Sequence, residues 1–180
     1  MSAHSTTATR TDVRPAPSGT VHTVVDSPLG PLTLVADDGT LAALYMTAQR
    51  HLPADARLGE AVPADDPAFA TITGQLREYF AGERTSFDLD LAPRGSDFQR
   101  AVWLRLREIP FGVTTTYGTI AADLGLPPGA SRAVGAAVGR NPLGVVVPCH
   151  RVVGSTGALT GYAGGLDRKV WLLEHEGVLV

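Results

Sequence analysis

Two β-branched runs, Val145–Val147 and Val152–Val153, flank the quartet Pro148-Cys149-His150-Arg151. Such runs favour buried, extended structure. Pro148 has no N–H and cannot sit inside a continuous ladder, so the two runs do not join as one strand. Cys149 is therefore held on a stiff, irregular segment walled by valines, with a histidine beside it. It is the only cysteine in the chain. A reactive quartet between apolar runs is a poor core and a good mount for a nucleophile. A lone free cysteine is more often a small buried hydrophobe. Neighbours on extended chain point to opposite faces, so Cys149 and His150 cooperate only if the backbone turns or a water bridges them. The rest of the chain has to decide.

The 180 residues fit one large or two small domains, and a 44% hydrophobic fraction is ample for a core. One cysteine excludes an internal disulfide and a cysteine-rich zinc site, and fits a reduced, cytoplasmic setting. No stretch reaches the roughly 20 apolar residues of a membrane span. Residues 1–19 are rich in Ser, Thr, Ala, Pro and Arg and lack the apolar segment of a secretory signal, so they read as a disordered tail. Net charge is −3, which alone speaks against nucleic acid. The halves differ, however: residues 1–93 carry 6 Arg and 12 acidic residues, residues 94–180 carry 9 basic and 6 acidic ones. Any contact with phosphate falls to the C-terminal half.

From Thr20 to Met46 three short strands, Val21–Val25, Leu32–Val35 and Leu41–Met46, alternate with Ser27-Pro28-Leu29-Gly30 and Asp37-Asp38-Gly39, both turn chemistries. This predicts an antiparallel meander. Residues 49–65 have no period and read as loop. Asp66-Pro67 starts a helix whose apolar face is Phe69, Ile72, Leu76, Tyr79 and Phe80, stopped at Gly82. Phe87–Leu91 alternates and predicts one more strand. Ala92-Pro93-Arg94-Gly95 is the domain boundary, dividing residues 20–92 from residues 93–180. The first half shows no chemistry; His22 and His51 read as surface residues.

Ser96 caps a helix with Phe98, Val102, Leu106 and Ile109 on one face. Two short helices, Tyr117 to Leu124 and Ala130 to Gly139, joined through Gly125 and Leu126-Pro127-Pro128-Gly129, make a helix-turn-helix. The second presents a small-residue surface, Ala133, Gly135, Ala136 and Ala137, with Arg132 near its start, where a recognition helix meets DNA. Glycines in Gly154–Gly157 and Tyr162–Gly165 let backbone N–H groups approach a ligand. A last helix, Leu166 to His175, ends at Gly177. Glu176 lies where the helix dipole disfavours a carboxylate, which asks for a partner cation or imidazole.

With Tyr117, Arg132, Asn141, Pro148-Cys149-His150-Arg151, Tyr162-Ala163-Gly164-Gly165 and Trp171–Gly177 assembled, the chain resembles the O6-alkylguanine-DNA alkyltransferases from about residue 20 to 180, densely from Phe98 onward. The resemblance implies an α+β fold: a ribonuclease-H-like antiparallel sheet with a helix, then a winged-helix-like helical domain with the helix-turn-helix. It implies stoichiometric repair, in which alkyl passes from O6 of guanine, less readily O4 of thymine, onto Cys149. His150 would act as base through a water, with Glu176 orienting it; Tyr117 would donate toward the leaving base, and Asn141 would bond near the thiol. Arg132 would fill the gap left by a flipped nucleotide, with Ala133 and Ala136 in the minor groove, Tyr117 as a further DNA contact, and Arg151 and Ser155 as lesser candidates for contacts to DNA or within the site. Tyr162, Ala163, Gly164 and Val152 would line the base pocket. Alkylated duplex DNA is the implied partner of a monomer, whose cooperative binding stays open; no cofactor, metal or membrane is implied.

Three departures stand out. Ala163 replaces a serine of some members, so only backbone N–H groups there can meet O6. The cysteine–histidine zinc site of some members cannot be copied. Residues 1–19 have no counterpart. Three rivals remain: a relative that binds alkylated bases without reacting, against which Cys149 argues; a cysteine hydrolase, which lacks an oxyanion-hole glycine pattern; and a transcription factor, which the small positive charge disfavours.

Overall fold

The computed structural model describes residues 19–52 and 58–178. The expected meander forms: β1 (Thr20–Val25), β2 (Leu32–Asp37) and β3 (Thr40–Met46) pair antiparallel in sequence order. The turn before β2 closes through Gly30 N–H to Ser27 O at 3.0 Å, with the Ser27 hydroxyl accepting from Leu29 N–H. A fourth strand, β4 (Glu60–Ala61), pairs parallel to β1 and falls inside the segment read as loop. Two exposed residues carry no periodicity; β4 forms because β1 leaves an open edge. The tail expected over residues 1–19 lies outside the described residues except Gly19, whose N–H donates to Asp38. His22, expected at the surface, is half-buried with its Nδ1 enclosed.

Asp66 accepts from Ala68 N–H and opens a 3-10 turn, Pro67–Phe69, which runs into α1 (Ala70–Phe80). The strand expected over Phe87–Leu91 is replaced by irregular backbone. The side-chain amide of Gln75 donates to Asp88 O at 2.8 Å and accepts from Asp88 N–H at 2.9 Å. That amide takes the place of a neighbouring strand; only Leu41 and Leu91 form a bridge. The alternation in the sequence is real, since Phe87, Leu89 and Leu91 point inward, but a side chain satisfies the backbone.

Ser96 and Gln99 form a complete capping box at the start of α2 (Asp97–Arg107). Then come β5 (Thr115–Thr116), α3 (Tyr117–Asp123), α4 (Ser131–Gly139), β6 (Val152–Val153) and α5 (Leu166–His175). The α3–α4 pair is the expected helix-turn-helix. β5 and β6 pair parallel, which brings Tyr117 beside the exit of the cysteine segment.

One continuous core joins the sheet to the helical half. Leu44, wholly buried on β3, donates its N–H to Pro142 O at 2.8 Å and bridges to Leu143. Arg168 on α5 donates to Leu29 O, Thr47 O and Gly164 O at 2.9–3.0 Å. The N-terminal half is therefore fastened to the segments that carry the C-terminal chemistry. Among the described residues, no helix is long and apolar enough to cross a membrane.

Leu44→Ala should lower unfolding free energy by about 2–5 kcal/mol through lost transfer energy and a cavity at the seam. Ser96→Ala, which removes one cap bond on an exposed turn, should cost only about 1 kcal/mol. Urea melts of the two variants check the order.

Candidate active site

The run Val145–Val147 is buried but is not a strand. Val145 takes φ +69°, unusual for a β-branched residue, and Val146 and Val147 close tight turns onto Gly144 O and Leu143 O, both at 2.8 Å. Asn141 braces this shape: its amide donates to Val147 O and accepts from Leu143 N–H, each at 2.9 Å. Pro148 then starts a 3-10 turn over Cys149–Arg151, held by Arg151 N–H to Pro148 O at 3.0 Å. The turn ends the opposite-face arrangement that extended chain would force on the neighbours Cys149 and His150.

His150 has no exposed surface, and its Nε2 meets Glu176 Oε1 at 2.8 Å. A carboxylate accepts only, so Nε2 carries the proton and donates. Nδ1 is left with its lone pair, buried and bonded to no protein group. Glu176 is also buried and takes four further donors: Tyr79 Oη at 2.7 Å and Arg151 Nη2 at 2.9 Å on Oε1, and Arg151 Nε at 2.8 Å and Gly112 N–H at 3.3 Å on Oε2. The cation expected beside Glu176 and the imidazole are both present.

The electrostatics follow from these contacts. Burial raises the Cys149 thiol, while the Asn141 amide, the Lys169 cation and the Tyr162 hydroxyl pull it back without cancelling the rise. Burial lowers His150, and Arg151 and Lys169 lower it further, against the opposing bond and charge of Glu176. Burial alone would raise Glu176, but the bonds from His150 and Arg151, then the His150 charge and the Tyr79 bond, hold it far below the usual carboxylate range. The resting state is thus a thiol, a neutral imidazole and a carboxylate. A proton leaving sulfur has one free basic nitrogen next to it in the sequence.

Cys149 lies on a cavity of about 200 Å³ that Tyr117, Gly135, Tyr162 and Ala163 also line. The Tyr117 ring lies over Gly135, where an added Cβ would sit 3.7 Å from the ring, and its hydroxyl donates to Thr160 O at 3.2 Å. The Tyr162 hydroxyl is buried and has no partner besides the thiol. On α4, Arg132, Ala133 and Ala136 form one exposed face. Ser155 is exposed at the turn after β6.

Several expectations need correction. Arg151, expected at DNA or within the site, takes the second place and not the first: it is 7% exposed and spends its guanidinium on Glu176, on Ile109 O at 2.5 Å and over the Phe111 ring. Val152 is wholly buried in β6 and does not line the cavity. Gly164 supports it from behind: a Cβ there would come within 2.6 Å of Met46 Sδ and 2.8 Å of the Tyr162 ring. Ala137 is buried, its carbonyl accepting from Trp103 Nε1 at 2.9 Å, so it leaves the small-residue surface. The first half does carry chemistry. Arg50 and His51 line the cavity, and Tyr79 reaches Glu176. Lys169, unnoticed in the sequence, is wholly buried and donates to Val152 O at 2.5 Å and Thr160 O at 3.2 Å. A lysine on the apolar face of α5 was the available signal.

Two family models cover nearly all the described chain: the 6-O-methylguanine DNA methyltransferase ribonuclease-like domain over residues 20–93, and the DNA binding domain of the same family over residues 97–178. A methylated-DNA–protein-cysteine methyltransferase of Mycolicibacterium paratuberculosis is 53% identical over 152 residues, covering 84% of this chain and 89% of that one. One from Methanosarcina acetivorans is 45% identical, covering 87% and 97%. The crystal structure of Mycobacterium tuberculosis OGT in complex with DNA superposes with a TM-score of 0.79 at 49% identity, covering 87% and 92%. A methyltransferase from Pyrococcus kodakaraensis, 23% identical at a TM-score of 0.53, shares the fold. The ordered α+β fold, the buried cysteine–histidine–glutamate site and these matches together place the chain in the O6-methylguanine-DNA methyltransferase family.

Proposed function

We propose that the chain repairs alkylated DNA directly and once, with Cys149 as the acceptor that keeps the alkyl group. The observation that carries this reading is the buried His150 ring, fixed by Glu176 through Nε2 with Nδ1 unpaired, next in sequence to a lone thiol on a cavity wall. Thiolate is the soft nucleophile that displacement at an alkyl carbon needs, and a thiol near pKa ~8.5 is only a few per cent ionised at neutral pH. The proton leaves Sγ for His150 Nδ1, directly or through one water. The S–C bond forms as the C–O6 bond breaks, its electron pair staying on guanine. Tyr117, at the cavity wall, turns its hydroxyl from Thr160 O toward the base ring, and the departing guanine takes up one proton, balancing the one that sulfur gave up. The thioether has no route back, so each molecule acts once.

The lesion is inside a duplex and must be rotated out, at a cost of a few kcal/mol. Arg132 on the exposed face of α4 fills the gap, and Ala133 and Ala136 let that face enter the narrow minor groove. Ser155 and the turn around it meet the backbone. The partner is alkylated double-stranded DNA, met by a monomer in the cytoplasm. Residues 20–92 and 93–180 act as scaffold and acceptor domain.

Incubation with duplex DNA bearing O6-methylguanine should add one methyl to the peptide that carries Cys149, in one equivalent per protein. Cys149→Ala should lose transfer and keep lesion binding. Binding with no adduct on the wild type would favour a non-reacting base sensor, and repeated turnover a hydrolase.

Arg132→Ala should slow repair in duplex roughly tenfold or more while reaction with free O6-benzylguanine stays near the wild-type rate, because only the duplex reaction includes unstacking. Equal losses on both would remove the intercalation role.

The rate on free O6-benzylguanine requires neutral His150, whose pKa burial holds below that of an ordinary imidazole. It should be flat through neutral pH and fall only in acid, as the ring takes a proton. His150→Ala should lower the plateau by roughly 10²–10⁴-fold.

A further inference from the structure

The N-terminal half reaches Glu176 through Tyr79. Tyr79 is wholly buried on α1 and donates its hydroxyl to Glu176 Oε1 at 2.7 Å, across 97 positions of sequence. Its backbone carbonyl accepts from His175 Nε2 at 2.7 Å. Two consecutive residues at the end of α5 are thus bound to the same tyrosine, one at the side chain and one at the backbone. The ring is clamped by Phe80, Phe87, Phe111 and His175, with centroids 5.1–6.2 Å away.

We propose that Tyr79 is a positioning residue for alkyl transfer: its hydroxyl holds Glu176 Oε1 at the angle that orients His150 and restrains the carboxylate's pull on the ring. This rests on the function proposed above. Oε1 serves three donors, Tyr79, His150 and Arg151, and Oε2 serves two, against about four lone-pair sites on a carboxylate. Every donor therefore competes for the same charge. A buried phenol that only needed satisfaction could end on a backbone carbonyl; this one ends on the oxygen that His150 uses. The charged and titratable groups facing the cluster are Arg151 and His150 from the turn, Cys149 beside them, Tyr162 against the thiol, Lys169 from α5, and His175 against the tyrosine ring. Tyr79 itself stays protonated, because burial and then the Glu176 charge push its phenol well above the ordinary range.

The sign of the effect follows. Tyr79→Phe removes one donor from Oε1, so more of the carboxylate charge falls on His150 and the imidazolium is favoured. The acid limb of the rate on free O6-benzylguanine then moves to higher pH. The plateau falls as well, by roughly tenfold, the usual cost of losing a partner that orients a reacting group's own partner. A tyrosine that only fills space would lower the unfolding midpoint and leave the limb in place.

The experiment measures the pH dependence of benzyl transfer to Cys149 in wild type, Tyr79→Phe and Phe87→Leu, with unfolding midpoints read in parallel. Phe87 packs on the Tyr79 ring and offers its hydroxyl no hydrogen-bonding group. Expected is a raised acid limb and lowered plateau in Tyr79→Phe only. A limb and plateau equal to wild type in Tyr79→Phe overturn the proposal, as does the same shift in Phe87→Leu. In the wild type, the Tyr79 hydroxyl proton should exchange slowly and show a nuclear Overhauser effect to the His150 ring. Absence of both overturns the proposal even if Tyr79→Phe fails to fold. An unreactive wild type sinks the functional reading instead, and the proton measurement tells the two failures apart.

Discussion

A carboxylate with almost no contact with water organises this protein. Burying an anion costs several kcal/mol unless it is fully bonded, and removing one partner of a buried pair costs about 3–5 kcal/mol. Glu176 meets that demand with donors from three separated places: α1, the segment before β5, and the turn at Cys149, which supplies both His150 and Arg151. Each of those elements must be in place before the anion is tolerable. The energetics that stabilise the ion therefore also assemble the site, and the imidazole beside the thiol inherits its orientation from the fold as a whole.

The second constraint is the route of the backbone into the cysteine. Asn141 uses both ends of its amide to hold a loop in which Val145 adopts a left-handed conformation. Such strain costs of order 1–3 kcal/mol and persists where the surroundings over-determine it. Here the surroundings are buried valines and the sheet edge at Leu44. The outcome is a short 3-10 turn that points sulfur into the cavity while the neighbouring ring is sealed in the core. A strand would have placed one of the two correctly and the other on the wrong face.

Local signals in the sequence held up wherever the chain satisfies itself locally. Turn residues between β1, β2 and β3, the capping box at Ser96 and the glycine stop of α5 each depend on neighbours within a few positions, and all were legible. The misreadings share a cause. Phe87–Leu91 alternates like a strand, but Gln75 takes its hydrogen bonds. Arg151 is left open between DNA and the site until a carboxylate 25 residues away claims it. Tyr79 and Lys169 look like ordinary helix residues, because nothing within a turn of either announces a partner 97 or 17 positions distant.

The order of residues alone settled which atoms are available: one thiol, one adjacent imidazole, a carboxylate set against a helix dipole, and a small-residue helix with an arginine near its start. These are matters of composition and spacing, and no packing can change them. Tertiary structure decided which of those groups meet, which protonation state each holds and which cation is spent indoors. Those outcomes depend on desolvation and on contacts between distant segments, and burial is a property of the folded whole.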